Sequence, residues 1–381
     1  MDRHAPLKLF NLRQKRLGRD VSKYGKIWDR RAEKLYPGGT IPLGTVSLLF
    51  VAAHGTHLRI GQSGRAPVKL DRETEALLFW VSSSTTNPLW RMSHEKARAE
   101  YRRSISKTEV PLIEVGSTRD FEVAGPASPI PIREYVAPNP SGAGILFFHG
   151  GGGVLGNIDT HDNLCRALCV DTGAAVYSVD YRLAPEHPFP AAVYDGVAAL
   201  EWLTVAALDL SIDPARIAVA GDSAGGSLAA VALHETKGRL VAPAAAQLLI
   251  YPALDLRAKQ PSRKELVDQF PIPEDMLYWF FNHYFGHAWP IADPRAIPAL
   301  YEDDSGLPPT LITTAGFDPF RDEGAEYAER LAAAGVPVEY ECYEGTVHGF
   351  MNMGRMLRVA YKTMRERMGT WLKEQLDAPR A

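Results

Sequence analysis

The sequence predicts an α/β fold: a mostly parallel, eight-stranded sheet flanked by helices and covered by a helical cap. From about residue 115 onward, short apolar runs alternate with stretches of helical character. Most of these runs are apolar at nearly every position, as is typical of strands buried on both faces of a sheet. Strand–helix alternation of this kind is typical of parallel sheets covered by helices on both sides.

Eight strands are predicted in this region. The first two, Asp120–Val123 and Ile130–Val136, form a hairpin pair. The six that follow are Gly144–Phe148, Ala175–Val179, Ile217–Ala220, Gln247–Tyr251, Thr310–Thr314 and Val338–Tyr343. The helices predicted between and after the strands are His161–Thr172, Ala191–Ala207, Gly225–Lys237, Glu323–Ala334 and Arg355–Leu376.

Two regions fall outside this alternation and are expected to form the cap. Residues 70–115 contain predicted helices at Arg72–Ser82 and His94–Ser106, and residues from about 255 to 300 interrupt the α/β domain, which spans 116–381. We expect the cap to cover the carboxyl edge of the sheet, where open α/β proteins bind ligands. The aromatic side chains of the cap indicate an apolar pocket; they include Trp80, Trp90, Tyr278, Trp279 and Phe285.

Residues 1–69 form a predicted N-terminal extension with a basic arm. Residues 1–35 carry eleven Lys or Arg and four Asp or Glu, whereas the whole chain has a net charge of −3. This balance argues against a polyanionic partner, and no nucleic-acid-binding motif accompanies the arm. Within it, Leu17, Val21, Tyr24 and Trp28 have helical spacing. Such a stripe either packs on the cap or a partner subunit, or lies on an anionic membrane surface; we favour packing.

The cysteine content indicates a reducing compartment. Cys165, Cys169 and Cys342 cannot form a complete disulfide framework, and the charged start Met-Asp-Arg-His differs from a secretory signal. We therefore expect a cytoplasmic protein. His161, Cys165 and Cys169 are each four residues apart, but no fourth metal ligand is evident. We expect these thiols to face the core, and we expect no metal.

The most specific motif is Gly221-Asp222-Ser223-Ala224-Gly225. It follows a predicted buried strand and opens an alanine-rich helix. This strand–turn–helix context is the one that a nucleophile elbow requires, because the turn presents the serine hydroxyl above the edge of the sheet. The motif therefore predicts Ser223 as a catalytic nucleophile.

A serine nucleophile needs a general base and a carboxylate that orients the base. In the α/β-hydrolase chain order the acid follows the serine and the histidine follows the acid. Asp318 and His348 each come shortly after a predicted strand, so both reach the same sheet edge as Ser223. Asp322 and Glu323 compete with Asp318, but their position favours the first turn of a helix. We predict His348 as the base and Asp318 as its partner.

A glycine run after the strand Gly144–Phe148 predicts an oxyanion hole. Backbone N–H groups stabilise an oxyanion where no side chain blocks the approach. We expect the N–H groups of Gly151, Gly152 and Ala224 to form this hole, within a loop that includes His149, Gly150 and Gly153. A phosphate-binding loop would need a lysine or spaced glycines, which the run lacks. We expect His149 to hold the loop by hydrogen bonding rather than to transfer protons.

Together these residues resemble the hormone-sensitive-lipase-like family of α/β-hydrolases, also called the bacterial family IV esterases. The resemblance extends from about residue 70 to about residue 375, with matching motifs at residues 149–152, 180–191, 221–226, 318–324 and 348–350. It implies an α/β-hydrolase fold and hydrolysis of short- to medium-chain carboxylic esters as small-molecule substrates. It also implies no metal or organic cofactor, and often a homodimer.

The sequence departs from the family pattern at Gly153, where the family usually has a bulky residue. We expect the extra space to admit a larger acyl or alcohol group. Two other functions stay open. An arylamide amidase or deacetylase would use the same three residues, whereas a non-catalytic small-molecule receptor would typically lack the histidine that is present here as His348.

Overall fold

The computed structural model describes residues 69–84, 87–266, 268–286 and 291–379. The basic arm and its predicted helix around Leu17 and Trp28 lie outside the described residues. Within them, all eight predicted strands are present. Their bounds are β1 Ser117–Val123, β2 Ile130–Val136, β3 Gly144–Phe148, β4 Ala175–Val179, β5 Ile217–Asp222, β6 Ala246–Ile250, β7 Thr310–Phe317 and β8 Val338–Val347.

The eight strands form one sheet in the order β1-β2-β4-β3-β5-β6-β7-β8. Strand β2 is antiparallel to both β1 and β4, and the remaining neighbours are parallel. Every residue of β3, β5, β6 and β7 is buried, as the nearly continuous apolar runs predicted. The predicted mostly parallel α/β sheet is confirmed.

Helices cover both the sheet and its carboxyl edge. The described residues contain α1 Arg72–Ser84, α2 His94–Thr108, α3 Asp162–Thr172, α4 Ala191–Ala206, α5 Ala224–Glu235, α6 Pro261–Glu265, α7 Glu274–Tyr284, α8 Arg321–Ala333 and α9 Arg358–Asp377. Helices α6 and α7 lie in the interruption predicted at residues 255–300, which we call the cap insertion.

The two last strands run further than the sequence predicted. Strand β7 continues from Thr314 to Phe317, and β8 continues to Val347, with a register shift between Ala315 and Phe317. Gly316 makes this possible, since a Cβ there would lie 2.0 Å from the carbonyl oxygen of Glu344. The glycine thus allows close approach of two paired strands.

An apolar cluster joins the cap to the edge of the sheet. It includes Ala97 of α2, Leu155 of the glycine-rich loop region, and Trp279 and Phe280 of α7. The expected aromatic lining is only partly buried there. Trp279 and Phe285 are 8% and 5% exposed, whereas Trp80 and Tyr278 are 43% and 53% exposed and lie at the surface.

The expectations about membranes and assembly have different outcomes. Among the described residues, no helix is both long enough and apolar enough to cross a bilayer. Homodimer formation and the cytoplasmic location stay predictions.

Candidate active site

Three parallel strands end beside one another at the carboxyl edge of the sheet. Ser223 follows the last residue of β5, Asp318 follows β7, and His348 follows β8. Because β5, β6, β7 and β8 are parallel neighbours, their carboxyl ends meet at one edge. The three side chains predicted from the sequence are therefore brought together by the topology.

The contacts among these side chains are those of a hydrogen-bonded chain. His348 Nε2 lies 2.9 Å from Ser223 Oγ, and His348 Nδ1 lies 2.7 Å from Asp318 Oδ2. A carboxylate oxygen only accepts hydrogen bonds, so Nδ1 carries the hydrogen and Nε2 is free to accept from the serine hydroxyl. Asp318 is fully buried and His348 is 6% exposed, which shields the pair from water.

The alternative carboxylates point elsewhere. Asp318 Oδ1 also accepts a hydrogen bond from the backbone N–H of Phe320, at 2.8 Å, so both of its oxygens have partners. Asp322 accepts from the backbone N–H of Ser262, and Glu323 accepts from that of Leu254. Both competitors lie in the first turn of α8, as expected for acidic residues near a helix N-terminus.

The glycines of the nucleophile motif permit a strained turn. Ser223 has φ 54° and ψ −121°, a conformation that residues with a Cβ rarely adopt. A Cβ on Gly221 would lie 2.2 Å from the carbonyl oxygen of Gly225, and one on Gly225 would lie 2.0 Å from that of Phe148. The turn therefore closes only with glycine at both positions, and it holds Ser223 at the start of α5.

The glycine-rich loop leaves two amides without a partner. Gly151, Gly152 and Gly153 have φ of 122°, 64° and 69°, which glycine adopts without strain. The N–H of Gly150 donates to Asp222 Oδ1 at 2.7 Å. In the described part of the chain, the N–H groups of Gly151 and Gly152 have no acceptor. These two donors lie on the loop that directly follows β3, the strand beside β5.

His149 supports this loop as a neutral imidazole. Its Nδ1 lies 2.8 Å from the carbonyl oxygen of Gly150, and its ring stacks on Tyr181 with 4.4 Å between centroids. Burial, and then the neighbouring His161, lowers the pKa of His149 to about 3. A histidine that stays neutral and donates to the loop fits the expected holding role.

Comparison with known proteins identifies the family. The protein-family model described as alpha/beta hydrolase fold matches residues 145–352, which is more than half of the chain. The chain belongs to the α/β hydrolase fold family. This membership, together with relatives that are esterases, confirms the resemblance to the hormone-sensitive-lipase-like hydrolases and the enzyme class predicted from the sequence, an ester hydrolase.

Curated relatives and solved structures extend over most of this hydrolase. The carboxylic ester hydrolase LipN of Mycobacterium tuberculosis is 43% identical over 267 residues, covering 68% of this chain and 70% of LipN. An ethyl acetate hydrolase of Pseudomonas putida is 38% identical, covering 61% of this chain and 74% of the relative. The ester hydrolase EH1AB1 from the Lake Arreo metagenome, solved with a bipyridine phosphonate derivative, has a TM-score of 0.76, 37% identity and coverage of 81% and 100%.

The space expected beside Gly153 of this hydrolase is occupied. A Cβ on Gly153 would lie 2.7 Å from the ring of Tyr284, and one on Gly152 would lie 2.3 Å from the ring of Phe280. Both rings belong to α7, one helical turn apart. The expectation of free space beside Gly153 is therefore wrong, because the cap insertion supplies the ring that covers this position. Admission of a larger acyl or alcohol group stays a prediction.

The expected core role of the cysteines agrees with the structure. Cys165 and Cys169 are buried free thiols, and burial raises the pKa of Cys169 to about 12. Among the described residues, no group of three His, Cys, Asp or Glu side chains could hold a metal ion.

Two residues at the site were missed. Asp222 stands inside the nucleophile motif, but the pattern constrains only its glycines and serine. The sequence groups His161 only with the cysteines. Its contact with Asp222 joins residues far apart in the chain, which no local spacing reveals.

Proposed function

We propose that this ester hydrolase is a serine carboxylesterase that cleaves short- to medium-chain carboxylic esters through an acyl-enzyme on Ser223. The observation that carries the proposal is the continuous hydrogen-bonded chain from Ser223 Oγ through His348 to Asp318, with distances of 2.9 and 2.7 Å. This arrangement matches the geometric requirement for an activated nucleophile, namely a base within hydrogen-bond reach and a third group that orients the base.

The first half of the reaction forms the acyl-enzyme. Ser223 Oγ attacks the carbonyl carbon of the ester while its proton passes to His348 Nε2. The tetrahedral intermediate then collapses, the bond from carbon to the alcohol oxygen breaks, and His348 returns the proton to the leaving alcohol. Asp318 holds the imidazole in the tautomer that accepts at Nε2, and its charge stabilises the imidazolium that forms.

The second half of the reaction restores the free serine. A water molecule gives a proton to His348 Nε2 and its oxygen attacks the acyl carbon. Collapse of this second tetrahedral intermediate releases the carboxylic acid, and the proton goes back to Ser223 Oγ. The same three side chains therefore serve both steps, which requires no cofactor.

Backbone donors stabilise both intermediates. The N–H groups of Gly151 and Gly152 have no acceptor within the part of the chain that the structure describes; with the N–H of Ala224 at the N-terminus of α5, they supply the expected oxyanion hole. Each such donor accounts for about 10²- to 10³-fold in kcat in a serine hydrolase. The loop and the elbow are in direct contact, since a Cβ on Gly225 would lie 2.5 Å from the carbonyl oxygen of His149.

The substrate class follows from the relatives and from the cap. An ethyl acetate hydrolase and an arylesterase are among the relatives, so esters of small acids are the first class to test. The buried rings of Phe280 and Trp279 and the side chain of Leu155 place apolar surface beside the glycine loop. A pocket of this composition favours apolar acyl chains over charged ones.

The test compares p-nitrophenyl esters from acetyl to dodecanoyl in the wild type, Ser223→Ala and Ser227→Ala. Ser227 lies one turn further along α5 and donates to the carbonyl oxygen of Ala253, so it is a matched serine control. We expect a rate maximum at short chains, a loss of about 10⁴-fold or more in Ser223→Ala, and little change in Ser227→Ala. Equal rates in the wild type and Ser223→Ala would overturn the proposal.

A matched anilide separates the amidase alternative. The esterase proposal expects kcat/KM for the p-nitrophenyl ester to exceed that for the p-nitroanilide of the same acid. A higher kcat/KM for the anilide would make the amidase the better description of the same site.

A further inference from the structure

We infer that His161 is a positioning residue for the glycine-rich loop, residues 150–153, which we call the oxyanion loop from here on. His161 acts on this loop through Asp222. The inference rests on the proposed function, since it concerns the donors that would stabilise the oxyanion. Asp222 directly precedes Ser223, and its carboxylate joins the loop on one side to His161 on the other. The site therefore contains two carboxylate–histidine pairs, of which only Asp318–His348 touches the nucleophile.

The second pair has short contacts and is buried. Asp222 Oδ1 accepts a hydrogen bond from the N–H of Gly150 at 2.7 Å, and His161 Nε2 lies 3.2 Å from the same oxygen. Asp222 and His161 are 2% and 1% exposed. The approach to the loop is close, because a Cβ on Gly150 would lie 2.6 Å from Asp222 Oδ2.

The imidazole of His161 has polar neighbours at both nitrogens. Thr160 Oγ1 lies 2.9 Å from Nδ1, and the side-chain amide nitrogen of Asn352 lies 3.0 Å from Nε2. Because a carboxylate only accepts, the contact with Asp222 requires a hydrogen on Nε2. That hydrogen excludes a bond from the amide nitrogen of Asn352, so in this tautomer the amide presents its oxygen to Nε2 instead. His161 thus presents a fixed N–H to Asp222.

Asp222 needs the N–H of His161 in order to stay ionised and to hold the oxyanion loop. Burial alone would raise the pKa of its carboxyl, but His161 and the N–H of Gly150 hold that pKa below its ordinary value. An ionised, oriented carboxylate fixes the amide of Gly150, and the next two amides are those proposed to meet the oxyanion. Loss of the His161 contact should therefore displace the N–H groups of Gly151 and Gly152. Catalysis requires the positions of such donors to be accurate to a fraction of an ångström.

Two amide substitutions separate this role from a merely structural one. His161→Gln places an amide N–H near the former Nε2 and keeps the contact with Asp222. His161→Asn reaches only the former Nδ1 and loses that contact. Both are polar and similar in size, so they differ mainly in the proposed interaction.

The chain also provides a matched control. His234, in the last turn of α5, is another histidine with a buried side chain, and its Nε2 lies 3.3 Å from a buried carboxylate oxygen, Asp304 Oδ1. His234→Asn removes the equivalent contact there. The effect of His234→Asn on kcat shows how much is lost when a buried His–Asp contact that does not involve the oxyanion loop is removed.

The measurements are kcat and KM for a p-nitrophenyl ester, and Ki for a trifluoromethyl ketone that forms a hemiketal oxyanion on Ser223. We expect His161→Asn to lower kcat by about tenfold to a hundredfold with KM nearly unchanged. The Ki for the ketone should rise by a similar factor, because the ketone binds as an oxyanion. His161→Gln should stay within about threefold of the wild type, as should His234→Asn.

Three results would overturn the inference. They are equal kcat in His161→Asn and His161→Gln, a loss in His161→Asn no greater than in His234→Asn, or an unchanged Ki for the ketone despite a lower kcat. Failure of the proposed function itself would be distinguishable, because it would appear as activity that survives Ser223→Ala.

Discussion

Arg98 ties the cap helix α2 to the segment that follows the oxyanion loop. Its Nε donates to the carbonyl oxygen of Val154 at 2.8 Å, and its Nη2 donates to that of Ala184 at 2.8 Å. Nη1 and Nη2 also contact both carboxylate oxygens of Glu186, at 2.7 and 2.8 Å. Arg98→Met keeps the apolar stem of the side chain and removes all four hydrogen bonds.

The expected loss in the free energy of unfolding is about 3.5 kcal/mol. The two bonds to part-buried carbonyls contribute about 1.5 kcal/mol each, the lower value for hydrogen bonds from a charged donor. The pair with Glu186 adds about 0.5 kcal/mol, because Glu186 is 45% exposed and solvent screens such pairs. We also expect kcat to fall, since Val154 follows the oxyanion loop directly.

Urea unfolding followed by tryptophan fluorescence measures this loss. Arg103→Met is the matched control, because Arg103 is on the same helix and, among the described residues, forms an ion pair only with Glu100, with side chains 63% and 37% exposed. The control should lose less than about 0.5 kcal/mol. A loss below about 1 kcal/mol in Arg98→Met, or one equal to the control, would refute the reasoning.

Two further predictions concern Gly153 and a buried carboxyl. Gly153→Ala should lower the free energy of unfolding by about 1 to 2 kcal/mol, because residue 153 has φ 69° and a Cβ there would meet the Tyr284 ring. Activity should fall alike for small and bulky esters; selective loss of bulky ones would restore the original idea of free space. Burial raises the pKa of Glu323 to about 8, above its ordinary 4.5, so protonation favours the folded state. Compared with Glu323→Gln, the wild type should lose unfolding free energy from about pH 5 to pH 8, by at most about 1.4 kcal/mol per pH unit. A pH-independent difference in urea unfolding would contradict this.

The sheet was predictable because each strand carries its own signal. Strands such as β3 and β6 are short, apolar and bounded by glycine, proline or polar residues, which determines both their type and their burial. The placement of Ser223, Asp318 and His348 then follows from strand order alone. Parallel neighbours bring their carboxyl ends together whatever the helices between them do.

The contacts between cap and loop were not predictable in the same way. The sequence predicts empty space beside Gly153, because glycine has no side chain. The Tyr284 ring that fills this space is more than a hundred residues further along the chain. Likewise, the partner of Asp222 is a histidine that local spacing grouped with two cysteines. Side-chain partners of this kind depend on tertiary packing, which leaves no periodic trace in the sequence.

The cap insertion leaves the sheet after β6 and rejoins it at β7, and these two strands are direct neighbours. Their register, which pairs Gln247 with Thr310, is set by the strands themselves. A foreign segment of different length can therefore be transplanted at this point without disturbing the sheet. Such a transplant has to bring flat rings to the places of Phe280 and Tyr284, since Gly152 and Gly153 have no side chains with which to seal the loop. The loop and the insertion must therefore be re-engineered as a matched pair.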